Sequence, residues 1–419
     1  MKKTVFYFFN LFFILHVNTG YPQDKPSNIQ GLGNIDLLIQ RSINDNEIPG
    51  AVAIIIKNNR ILYYKSFGFS DKDSKSLMEK NSIFRIASMT KAITSVGIMM
   101  LVEDGKLLLS DPVSKYIPEF KNPNVIESID ISSGKILEVI PASREIQIQD
   151  LLTHTSGIGY PFIPSNLDRS YSEGNIFDGL TAKPIILSEF IRNLSRQPLL
   201  FDPGSSYAYG LNTDVLGYVI EVVSGMTLDS FFKKMVFEPL EMEDTYFYLP
   251  EEKESRLVTL YAGNEDKGIK ESDGTESDIY LDDPNYPISG AKTMFSGGAG
   301  LSSTAYDYSL FLSMLLNEGK YDEQRLLSQN SVKLMRTALI DRDSDGSSDF
   351  GLGFDVIAHP KQSNEFSSIG SYSWGGAFYT TYWIDPQNKL IGIFMSQVRP
   401  YNHLSVATEF KNLVYQSIN

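Results

Sequence analysis

The chain contains no cysteine. That absence excludes disulfides, a thiol nucleophile, thiolate metal ligands and lipid attachment at cysteine, and it leaves the fold to be held by its core alone. Histidine is scarce too, with four in 419 residues and none in a His-x-x-x-His or comparable spacing, which argues against a zinc centre. Lys and Arg number 37 against 51 Asp and Glu, a formal charge of −14, and they form no basic stripe. No nucleic-acid partner is expected from such a surface. Nor is there an apolar run of the roughly 20 residues that a bilayer-spanning helix needs. The nearest is Val5 to Val17, preceded by Lys2 and Lys3 and followed by small and then polar residues. That is the layout of a secretory signal. It predicts a signal peptide over residues 1–20, a polar linker over 21–31, a periplasmic or secreted location, and no stable membrane span once the signal is removed.

What is present is an ordinary globular composition, 42% hydrophobic, 21% charged and 12% aromatic. That is enough to bury a large core. "IDLLIQRSINDNEIPG" carries apolar residues at helical spacing and stops at Pro49-Gly50. "AVAIIIK", a turn at Asn58-Asn59 and "ILYYKSFGF" form a hairpin pattern of β-branched and aromatic residues. Towards the other end, "FGLGFDVIA", "SWGGAFYTTYWID" and "KLIGIFMSQV" read as three more strands, the last two joined by a turn at Asp385–Asn388, before a closing helix in "SVATEFKNLVYQSI". The expected architecture is α/β (α+β): a five-stranded antiparallel sheet built from both chain ends and flanked by helices. The catalytic domain then spans 32–419, its α/β part covering about 32–109 and 290–419 and a mostly helical insert about 110–289. "KNPNVIESIDISSGKILEVIPASREIQ" suggests an extra strand pair, and the acidic stretch from Glu251 to Pro287 has no regular period; both read as surface excursions.

The chemistry-bearing candidate is "FRIASMTKAIT", where Ser88 precedes Lys91 by three residues at the start of an apolar helix. Three residues is close to one helical turn, so the hydroxyl and the ammonium can share a face. A serine is a weak nucleophile until a base takes its proton, and a lysine serves as that base only where burial or cationic neighbours depress its pKa. The backbone N–H groups at a helix start would also stabilise a developing oxyanion. The bare pattern is uninformative, since it recurs at Ser132/Lys135, Ser230/Lys233 and Ser289/Lys292. An N-cap serine with an outward lysine explains most such pairs. Only the Ser88 pair opens a helix of buried character, yet the pattern alone does not decide for it; what lifts Ser88 is the company it keeps further along the chain.

Around that pair, "IFRIASMTKAITSVGIMMLVEDGKLLLSDPVSKYIPEF", "IQIQDLLTHTSGI", "LLFDPGSSYAYGLNTDVLGYVIEVVSGMTLDSFFKKMVFEPLEMEDTYF" and "GGAGLSSTAYDYSLFLSMLLNEGK" resemble, in order and from about Ile35 onward, the serine β-lactamase and penicillin-binding-protein superfamily. The resemblance is narrowest to the branch near class C β-lactamases, and in motif to family VIII carboxylesterase-like hydrolases. It implies a nucleophile at Ser88, a proton-handling lysine at Lys91 and a tyrosine element. The usual Tyr-x-Asn is absent, and "YAYGLNTDVLG" offers Tyr207 and Tyr209. Spacing to the following helix in the esterase-like members selects Tyr209. The family's Lys-Thr-Gly strand corresponds here to Trp374-Gly375-Gly376-Ala377, so the cation that holds a substrate carboxylate is missing. The resemblance makes these four residues substrate-binding, with the Ala377 and Ser88 N–H groups as an oxyanion hole, and it favours ester over lactam turnover.

Two other signals weigh less. His154 in "LLTHTSG" suggests a triad with Ser156, but no Gly-x-Ser-x-Gly elbow exists, and a structural turn is the better reading. Asp341, Asp343, Asp345 and Asp349 with Gly346 have calcium-loop spacing, yet Leu352 stands where the twelfth-position glutamate belongs, so a solvated acidic loop is favoured over a metal site. The sequence therefore predicts an exported serine hydrolase acting through an acyl-enzyme on a small-molecule ester, amide or lactam, with no cofactor. The alternatives are a true class C-like β-lactamase or D-amino-acid peptidase, an acyltransferase, and a non-catalytic penicillin-recognising receptor.

Overall fold

The computed structural model describes residues 31–264, 268–274, 281, 283–342, 349–359 and 366–418. The expected signal peptide and all of the linker except Gly31 lie outside the described residues. Five long strands form the centre of the sheet: β1 (Gly50–Lys57), β2 (Arg60–Asp71), β3 (Tyr372–Gly376), β4 (Thr380–Asp385) and β5 (Leu390–Met395). They run in the order β3-β4-β5-β1-β2, each neighbouring pair antiparallel. The two chain ends meet where β1 pairs with β5, Val52 opposite Met395 and Lys57 opposite Leu390. Strand β1 can be a continuous run of Ala, Val and Ile because both its faces are covered. Val52, Ile54 and Ile56 enter one core, while Ala51, Ala53 and Ile55 enter the other.

The second of those cores is closed by α1 (Leu32–Asn44) and the C-terminal helix, which contribute Ile35, Leu38, Ile39, Val406, Phe410 and Val414. The first core holds α2 (Thr90–Glu103), which is buried nearly all round because it lies between the sheet and the inserted region. Its partner there is α3 (Asn212–Ser224); a Cβ at Gly97 would stand 3.1 Å from Ile220 Cδ1, so glycine permits the close crossing. Helices α4 (Ala305–Leu316) and α5 (Val406–Ile418) complete the α/β part.

Three expectations need correction. "SWGGAFYTTYWID" is two strands, β3 and β4, joined by a turn in which Tyr379 has φ 66° and its N–H donates to Gly376 O at 3.2 Å. A tyrosine in the left-handed region carries no turn signature in sequence, which is why the run looks continuous. "FGLGFDVIA" is likewise divided, into the two-residue strands Asp349–Phe350 and Asp355–Val356. With Ile340–Asp341 and, at the other edge, Ser76–Leu77, they extend the sheet to nine strands among the described residues. The acidic excursion is also more regular than its sequence: Tyr261–Asn264 pairs with Gly268–Glu271 and, in parallel, with Val398–Arg399. That order is imposed by the partner strand and leaves no local period. The strand pair expected in the other insert is present as Asn124–Asp130 and Lys135–Pro141. Among the described residues no single helix is long and apolar enough to cross a membrane.

The indole of Trp383 on β4 lies flat across Gly392 on β5, where a Cβ would come within 2.1 Å of Cη2. Gly392→Ala is therefore expected to cost about 1–3 kcal/mol, the usual toll of overpacking, read as a lowered urea midpoint. An unchanged midpoint would contradict this packing.

Candidate active site

Ser88 stands in a single 3₁₀ turn, Ala87–Met89, that leads into α2. Ala87 has φ 41°, a conformation an L-residue adopts only when its surroundings hold it there. What holds it is β3: a Cβ at Gly376 would lie 2.3 Å from Ile86 O, so the strand presses directly on the chain two residues before Ser88. Gly375 is less constrained, its Cβ position being 3.3 Å from Thr380 O.

Lys91, the second residue of α2 and one turn beyond Ser88, is 2% exposed. Its Nζ donates to Ser88 Oγ at 3.3 Å, to Tyr160 OH at 2.9 Å and to Gly298 O at 2.7 Å. A buried lysine nitrogen is tolerable only when it is hydrogen-bonded, and these three partners satisfy it. Tyr209 OH donates to Ser88 Oγ at 2.7 Å. Tyr207 points elsewhere, its ring 5.7 Å from Phe350 and under Arg342. Geometry thus brings Ser88, Lys91 and Tyr209 together and resolves the choice between the two tyrosines. Trp374 flanks them, 5.5 Å from the Tyr209 ring and 5.3 Å from Phe350.

Tyr209 is fixed from below by the His154 turn. Ala208 N–H donates to His154 O at 2.9 Å and Leu211 N–H to Gly159 O at 3.2 Å. Gly210 between them is needed because a Cβ would lie 2.0 Å from Ile158 O. The imidazole packs 4.9 Å from the Tyr209 ring. Its Nδ1 accepts from Gly210 N–H at 3.3 Å and from Asn212 Nδ2 at 2.9 Å, which requires a neutral ring. Burial, with Lys91 nearby, pushes the His154 pKa well below 6.5. Ser156 Oγ donates to Asn212 Oδ1, so no Ser–His pair forms. His154 is a positioning residue.

Sequence reasoning missed Tyr160, Asp214 and Gly298. Asp214, fully buried in the first turn of α3, accepts from Ser296 Oγ at 2.5 Å and Gly298 N–H at 3.2 Å. It shapes the glycine turn whose carbonyl receives Lys91. Desolvation raises its pKa and Lys91 opposes the rise. The signals available were the "GGAG" cluster and the tyrosine six residues after His154, but nothing local ties either to Lys91. Lys292-Thr293 plays no part here; Thr293 Oγ1 donates to Ile185 O.

Ser88 and Ala377 line one cavity of about 30 Å³ together with Tyr160, Phe162 and Asp178. A larger cavity of about 400 Å³, bounded by Asp355, Trp383, Tyr401 and Lys411, includes none of Ser88, Lys91 and Tyr209. The reacting groups, not the volume, locate the chemistry. Of the calcium-loop candidates, Asp343 and Asp345 lie outside the described residues, and Asp341 and Asp349 face each other across a strand pair. Among the described residues no cluster of three or more acidic or histidine side chains suited to a metal occurs.

Known proteins share this arrangement of the chain. The Beta-lactamase family model matches residues 35–414. Protein Rv1367c of Mycobacterium tuberculosis is 32% identical over 367 residues, 84% of this chain and 86% of that one. Esterase EstB of Burkholderia gladioli is 28% identical over 370 residues, with the same coverage. Among solved structures, EstCE1, a hydrolase with promiscuous acyltransferase activity, superimposes with a TM-score of 0.80 at 25% identity, covering 92% of this chain and 98% of its own.

Two predictions follow from this geometry. Tyr160→Phe keeps the ring but removes an acceptor from Lys91; about 1–3 kcal/mol is at stake, so kcat should fall roughly 5- to 150-fold with KM little changed. Equal kcat would show that Lys91 does not depend on this hydroxyl. His154 is held neutral in the fold and protonates more readily unfolded, so it contributes stability above pH 6.5 that is lost as pH falls below that value. The urea midpoint should drop less between pH 7 and 5 in His154→Gln than in the parent, other titrating groups being common to both. Parallel slopes would refute a buried neutral histidine.

Proposed function

The chain belongs to the beta-lactamase family and is a serine hydrolase; from that premise we propose that it is a carboxylesterase-like member that works through an acyl-enzyme on Ser88. The observation that carries the reading is the convergence of Lys91 Nζ and Tyr209 OH on one serine oxygen, at 3.3 and 2.7 Å. In the acylation step Ser88 Oγ attacks the ester carbonyl and its proton passes to the Lys91–Tyr209 pair, which needs one of the two unprotonated at that moment. The carbonyl oxygen collects negative charge beside the Ser88 and Ala377 N–H groups, the proposed oxyanion hole. The ester C–O bond then breaks as Tyr209 delivers the proton to the departing alkoxide. Water repeats the sequence in reverse roles, returning acid product and free Ser88.

Ester rather than lactam preference is supported by Trp374. At the place where the resemblance would put a carboxylate-binding cation, the strand presents an indole against Tyr209 and Phe350. Burying a carboxylate against that wall is costly, while a neutral alcohol or phenol fits it. The esterase and hydrolase relatives agree with this choice. Export is part of the same proposal and rests on the Met1–Val17 sequence alone.

Side-by-side turnover of p-nitrophenyl acetate and a chromogenic cephalosporin tests the reading. Ester hydrolysis should dominate and fall by at least about 10³-fold in Ser88→Ala and about 10²-fold in Tyr209→Phe. Preferential cleavage of the cephalosporin would overturn it in favour of a true β-lactamase. Faster product release on adding a small alcohol would assign acyl transfer.

A further inference from the structure

The tetrahedral intermediate on Ser88 has three substituents to place besides the serine oxygen. If the proposed mechanism holds, the leaving oxygen must sit within reach of Tyr209, and the oxyanion must sit beside the Ser88 and Ala377 N–H groups. The acyl substituent takes the remaining direction. Ser88 and Ala377 line the cavity of about 30 Å³ and neither Tyr209 nor Trp374 does, which leaves it open to the acyl substituent. At that size it holds two to three heavy atoms, given that one water needs about 10–15 Å³ on the same measure.

Its walls are mostly apolar, from Tyr160, Phe162, Leu180 and Phe378, but two ionisable side chains, Asp178 and Arg399, share the lining. Arg399 Nη1 donates to Ala377 O at 3.3 Å and its guanidinium lies 5.9 Å from the Phe162 ring. Asp178 accepts from Leu180 N–H at 3.3 Å. Neither residue is used by Lys91, Ser88 or Tyr209. A carboxyl and a guanidinium bordering so small an apolar space are poorly suited to a long alkyl chain, which offers neither of them a polar contact. They suit a short acyl group ending in one uncharged polar atom pair that both accepts and donates.

We propose that this cavity is the acyl subsite and that Asp178 and Arg399 make it specific for short acyl groups carrying a hydroxyl two or three atoms beyond the carbonyl. Desolvation lifts the Asp178 carboxyl to about 7, so it is available near neutrality both as donor and as acceptor.

The test compares p-nitrophenyl 3-hydroxypropionate with its near-isostere p-nitrophenyl butyrate, and adds the octanoate, in the parent protein and in Asp178→Leu, Asp178→Ala and Arg399→Met. The ratio of kcat/KM for hydroxypropionate over butyrate is read within each variant, which cancels intrinsic ester reactivity and general loss of activity. We expect the ratio to fall at least about fivefold in the Asp178 variants, as loss of one net hydrogen bond implies. The octanoate should be the poorest substrate of the parent and gain relative to butyrate in Arg399→Met. An unchanged ratio in both Asp178 variants, or octanoate preferred by the parent, overturns the subsite. Failure of every ester to acylate Ser88 in the parent overturns the hydrolase reading itself, and the subsite with it.

Discussion

Everything in this site depends on keeping one side-chain nitrogen, Lys91 Nζ, buried and fully hydrogen-bonded. Its three acceptors come from three different parts of the chain: Ser88 from the turn before α2, Tyr160 from the loop after His154, and Gly298 from the glycine turn before α4. Each acceptor is itself secured. Asp214 receives Ser296 and Gly298, Thr94 Oγ1 donates to Gly297 O at 2.7 Å, and the Tyr160 ring stacks on Phe162 at 4.6 Å. A buried polar group short of a partner costs free energy, so the same contacts also tie together the turn before α2, the loop after His154 and the glycine turn before α4.

The sheet supplies the second constraint. Strand β3 passes so close to Ile86 O that only glycine fits at Gly376, beside the left-handed Ala87 that precedes Ser88. Helix α3 supplies a third, carrying Tyr209 at its entrance and Asp214 in its first turn. Two surroundings of Ser88 result, an aromatic wall of Tyr209, Trp374 and Phe350, and a small cavity whose lining includes Asp178 and Arg399. Hydrolysis needs only that the two stay distinct.

Much of this is legible in the sequence. Hydrophobic periodicity placed the first and last helices and the two central strands, because those patterns reflect burial on known faces. Ser88, Lys91 and Tyr209 are legible through the resemblance of their surrounding motifs to the β-lactamase group, and their side chains do converge. The β3–β4 turn was hidden because a tyrosine occupies the position where glycine or asparagine would have announced it. Tyr160, Asp214 and Gly298 were invisible for a different reason: each acts through Lys91 or the glycine turn across long sequence separations, and no local period encodes such contacts. His154 is the instructive case, since its residue type suggested a base while its two donors at Nδ1 make it a neutral support for Tyr209.

The central claim is that Ser88 becomes acylated and that Lys91 makes it reactive. It is tested most directly by quenching the protein during turnover of p-nitrophenyl acetate and mapping the acetylated peptide by mass. The account predicts one acetyl group on the peptide containing Ser88 and none in Lys91→Ala. Acetylation at another residue, or undiminished labelling of Ser88 without Lys91, would contradict it.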